Sequence, residues 1–164
     1  MKPTVTQQKA RIIIAMYAMS RALDWFDPSY FGEEPVFADM LWRIHCCFAR
    51  CEIWAALQDI QPANNISWRL IEKAEDLFDK RYMWVKKTTG QRVAVNAAAY
   101  LEAASMALND CLKTCPDFQY RPMTWLYRCS QKVLSWLYAL FDEDLIYETG
   151  ATWYFDIMDK IGRK

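Results

Sequence analysis

A chain of 164 residues that is 54% hydrophobic and 24% charged is long enough to bury one sizeable core and too apolar to stay unfolded. Only four Gly and six Pro argue against a turn-rich all-β fold, and twenty basic against twenty acidic side chains leave no global field to draw the molecule to nucleic acid or an anionic membrane. Aromatic content is the unusual feature: 15% of the chain, with eight Trp, which supply core volume and interface anchors alike.

Thr4 or Thr6 caps a first helix that runs to Phe26, where Asp27-Pro28-Ser29 supplies turn chemistry. Its apolar run Ile12 to Met19 falls short of the roughly 18 to 20 residues that cross a membrane, and a segment apolar all round belongs at the centre of a bundle. Lys2, Lys9 and Arg11 before this run, with Ala18-Met19-Ser20 closing it, have the outline of a secretory leader. The amphipathic pattern continues through Ala22, Leu23, Trp25 and Phe26, so an intracellular, cytoplasmic chain is expected instead.

Glu33, Glu34 and Pro35 have the charge and geometry of a helix start, and apolar positions 37, 40, 41, 44, 47, 48, 51, 54 and 55 carry a second helix to about Ile60. Pro62 and Asn64-Asn65 close it. Ser67 then caps a third helix marked by Leu70, Ile71, Ala74, Phe78 and Val85, which Thr88, Thr89 and Gly90 stop. A fourth helix, about 91 to 114, is rich in alanine and reads as a buried spine that neighbouring backbones approach closely. Cys115-Pro116 breaks it, and after Pro122 the stripe Leu126, Cys129, Val133, Trp136, Leu137 and Leu140 marks a fifth. Gly150 is expected to separate a short final helix, about 152 to 161. The expected fold is all-α: a compact single-domain bundle of about six helices over residues 1–164, its core built mainly by the first, second, fourth and fifth.

Six cysteines, Cys46, Cys47, Cys51, Cys111, Cys115 and Cys129, all fall within helical patterns, where reduced, packed thiols are expected. Cys47 with Cys51 and Cys111 with Cys115 stand one turn apart, so two neighbouring helices could offer four thiolates to zinc, although Cys47, Cys51 and Cys111 equally continue apolar stripes. The single His45 limits acid–base and nucleophilic chemistry, and four scattered glycines build no phosphate-binding loop of familiar type. Glu102 aligns with Arg92, Asn96, Asn109 and Lys113 as an outward polar stripe. No catalytic residue, metal site or cofactor is expected.

Charge patterning is more informative. Lys80, Arg81, Lys86, Lys87 and Arg92 occur without an acid between them and interleave with Tyr82 and Trp84, a combination that tracks a phosphate backbone and stacks a base, or that solvates a helix end. Asp142, Glu143, Asp144, Glu148, Asp156 and Asp159 form the opposite patch, accompanied by Tyr147, Trp153, Tyr154 and Phe155. Three consecutive aromatics cannot all face one core, because successive helical residues turn by about 100°, so at least one is expected to be exposed. Segregated charge with abundant aromatics and no catalytic signature reads as a non-enzymatic interaction protein, an adaptor or an inhibitor. Small size and lack of familiar motifs fit a phage or mobile-element product directed at a host complex. A protein partner is expected, with nucleic acid through the 80–92 cluster as the alternative and self-association of the two patches as a further arrangement.

Overall fold

A computed structural model of the chain describes residues 5–26, 35–57, 89–114, 121–141 and 143–159. These residues form five helices and no strand: α1 (Val5–Trp25), α2 (Pro35–Leu57), α3 (Thr89–Thr114), α4 (Arg121–Leu140) and α5 (Glu143–Ile157). The all-α class is as expected. The helix anticipated over 67–87 lies outside the described residues, which hold five helices where about six were anticipated for the chain.

α3 is the axis of the bundle. α1, α4 and α5 all pack against it, while α2 lies chiefly on α4 and touches α1. Alanine explains why three helices reach one: Ala97, Ala98, Ala99, Ala103, Ala104 and Ala107 are all fully buried, their small side chains keeping the interhelical distance short. Ala also costs the least conformational entropy in a helix, so the spine forms readily. α1 answers with Ile12 to Met19, every residue buried, as its all-round apolar run foretold. Ile44, Cys47, Phe48 and Cys51 bring α2 into the same core. On α4 the buried line is Met123, Leu126, Val133, Leu134 and Leu137, with Cys129 and Trp136 only partly covered and Leu140 out in solvent.

Two sequence expectations are corrected. Gly150 does not separate helices: α5 is continuous from Glu143, and Gly150 sits buried inside it. A Cβ at this position would stand 2.6 Å from the Ala99 carbonyl oxygen and 2.8 Å from Glu102 Cβ, so glycine is what lets α5 lie directly on α3. Nor do Asn96 and Glu102 face outward; they are 1% and 7% exposed, because a helix packed by three neighbours has little outer face in its middle turns. Among the described side chains of that stripe, the outward ones lie toward the C-terminal end of α3, where Asn109 is half-buried and Lys113 exposed.

Candidate interaction surface

The inner face of α5 sets the outer one. Ile146, Gly150, Trp153, Tyr154 and Ile157 follow helical spacing onto α3, and Trp153, fully buried, stacks on Tyr17 of α1 at 6.2 Å and meets Tyr100 of α3 edge-on at 5.7 Å. Tyr154 Oη donates to Asp110 Oδ2 at 2.8 Å, and the same oxygen accepts from Arg11 Nε at 2.8 Å, tying α1, α3 and α5 together. Burial and then the Asp110 carboxylate push the Tyr154 phenol well above its ordinary range. Trp153 and Tyr154 are therefore core residues, which corrects their assignment to a binding patch.

With those faces fixed, Phe155 turns outward, 57% exposed, and Tyr147 is 52% exposed two turns earlier. Glu143, Asp144, Glu148 and Asp159 are exposed on the same side and Asp156 is half-buried, whereas Asp142 lies outside the described residues. The acidic cluster read from the sequence is thus reassembled around two aromatic side chains. Glu143 and Asp144 also favour the helix start by opposing its dipole.

Beneath the first turns of α5 lies a buried polar contact that the sequence reading did not find. Tyr138 Oη on α4 donates to Glu102 Oε2, and Gln131 Nε2 donates to Ser105 Oγ one turn away. Burial raises the Glu102 carboxyl above the usual carboxylate range and Glu143 adds to that, while the Tyr138 hydrogen bond pulls in the opposite direction. Tyr138 is pushed up by its burial and by Glu102. These two contacts, under a close helix contact, join α3 to α4.

The other sequence candidates separate by location. Lys80, Arg81, Trp84, Lys86 and Lys87 lie outside the described residues, and Arg92 falls in α3 with its side chain undescribed. His45 is exposed on α2. Cys47 is buried, and its thiol is raised by burial and by Cys129 of α4. Cys115 lies outside the described residues, among which no group of three or more His, Cys, Asp or Glu is placed to hold a metal ion.

A second exposed face was missed. Trp42 and Ile53 on α2 are 67% and 63% exposed, on the side opposite Ile44, Cys47 and Cys51. Its signal was legible in the spacing of Trp42, Cys46, Ala49 and Ile53, but the stronger inward stripe of the same helix obscured it.

No helix among the described residues is long and apolar enough to cross a membrane. Comparison with family models, with curated proteins and with solved structures gives no match.

Proposed function

We propose that this chain is a non-enzymatic interaction protein, an adaptor or an inhibitor, that engages a protein surface through the outer face of α5. The observation that carries the reading is the pair Tyr147 and Phe155, each more than half exposed among Glu143, Asp144 and Glu148. Large aromatic side chains in solvent are poor for solubility and are the residues that dominate binding energy when a partner desolvates them. Carboxylates around them select a partner that is basic at the rim and apolar at the centre, and speed its encounter.

The test is affinity capture of the tagged chain from its native cell lysate, with and without nuclease, beside a Tyr147→Ala/Phe155→Ala variant. The expected result is one protein complex that survives nuclease and falls at least tenfold with the double variant, about 1.4 kcal/mol or more, while thermal stability is unchanged. Equal capture by the variant overturns the surface. Capture that disappears with nuclease and with added salt instead supports nucleic-acid binding through the 80–92 cluster.

A further inference from the structure

The outer face of α2 has a regular construction. Trp42, Cys46, Ala49 and Ile53 are spaced by four, three and four residues, which places them in one line along the helix, the arrangement of a helix-pairing seam. Trp42, Ala49 and Ile53 are exposed and Cys46 is half-buried. Isolated exposed apolar residues need no explanation, but a continuous seam on a helix whose opposite face is already buried in the core does. Arg43 and Arg50 run along one flank, with Asp39 3.2 Å from Arg43.

α5 carries a seam of matching kind and opposite charge. Tyr147 and Phe155, two turns apart, are exposed on either side of Ala151, which is 8% exposed, and Glu143, Asp144 and Glu148 surround them. Charge decides which pairings are allowed. Antiparallel pairing of two α2 helices brings Arg43 of one copy beside Arg50 of the other, and pairing of two α5 helices crowds carboxylates together; like charges across a helix pair are destabilising. Pairing α2 with α5 sets Arg43 and Arg50 opposite carboxylates while covering exposed apolar side chains on both helices.

We propose that the protein self-associates, with the Trp42–Ile53 seam of α2 in one copy docked on the Tyr147–Phe155 face of α5 in a second. This rests on reading the α5 face as an interaction surface and assigns its first partner: another copy of the chain. Each copy offers both faces, so each can engage a neighbour, and self-association competes with any other ligand of α5.

Sedimentation equilibrium of the full chain tests it. Ile53→Glu places an acid against the acidic face, and Tyr147→Arg places a base against the basic flank; both positions are exposed, and far-ultraviolet circular dichroism checks that helicity is kept. The wild type is expected to associate in a concentration-dependent way and each variant to weaken association at least tenfold. An equimolar mixture of the two variants should regain it, because the intact α5 of the first meets the intact α2 of the second. A wild type that stays monomeric up to about 0.1 mM, a variant that associates like wild type, or a mixture that fails to recover overturns the proposal. Capture with the Tyr147→Ala/Phe155→Ala variant judges the α5 surface separately, so failure of self-association and failure of that surface give different results.

Discussion

At Glu102 a carboxyl only 7% exposed is held by the Tyr138 hydroxyl and overlaid by the backbone at Gly150. Desolvation outweighs the hydrogen bond, so the folded protein holds this proton to a higher pH than the unfolded chain does. Between the two values the native state binds more protons, and stability falls as pH rises through that window. Glu102→Gln keeps an oxygen for Tyr138 and removes the ionisable group. It is expected to be more stable than wild type at pH 7, by about 1–2 kcal/mol, with the advantage vanishing below the ordinary carboxylate range. Urea unfolding at a series of pH values measures this, and a variant less stable than wild type at pH 7 would show that the charged hydrogen bond outweighs desolvation.

At the scale of the element, Gly150 shows where local preference and packing part company. Glycine in a helix interior costs roughly 0.5–1 kcal/mol relative to alanine, so by propensity Gly150→Ala should stabilise α5. The added Cβ meets the Ala99 carbonyl, a backbone atom with nowhere to turn, so α5 must lift from α3. A net loss of about 1–3 kcal/mol is expected, read as a lower thermal midpoint with unchanged helicity at low temperature; a rise would mean that the two helices separate freely. The same residue shows what a sequence conceals. Helix starts and stops at Pro35, Cys115 and Pro122 are written in local chemistry and in apolar period, so α1 to α4 could be read in advance to within a few residues. Gly150 looks like a break because single-residue preference contains no neighbour. Glu102 looks like surface because a polar residue at helical spacing says nothing of how many helices surround it. In the candidate site the acids were legible as a run of like charge, but the choice of Phe155 over Trp153 depends on the phase of a helix that begins at Glu143, and splitting that helix at Gly150 lost the phase.

Across the molecule, balanced charge conceals a division into faces: arginines beside the α2 seam, carboxylates around α5. For those faces to act as fixed surfaces the helices beneath them must move as one body, and Asp110 is where this can be tested. Its Oδ2 accepts from Arg11, 99 positions away in sequence, and from Tyr154, 44 positions away, so one oxygen holds α1 and α5 on α3. Tyr154→Phe keeps the ring in the core and deletes the donor. It should cost about 1.5–3 kcal/mol, the range for a hydrogen bond to a charged group, with the lower half favoured because Asp110 retains some solvent. Two donors on one acceptor are not independent, so a double-mutant cycle of Arg11→Gln with Tyr154→Phe should give a coupling energy of about 0.5 kcal/mol or more, although the residues lie on helices at opposite ends of the chain. Amide exchange should show the ends of α1 and α5 loosening together in either single variant. If the two changes simply add and α1 exchanges as in wild type when Tyr154 is altered, the shared oxygen does not join the helices. In that case the rigid presentation of the α5 face must come from the packing of Ile146, Gly150, Trp153 and Ile157 against α3 and α1.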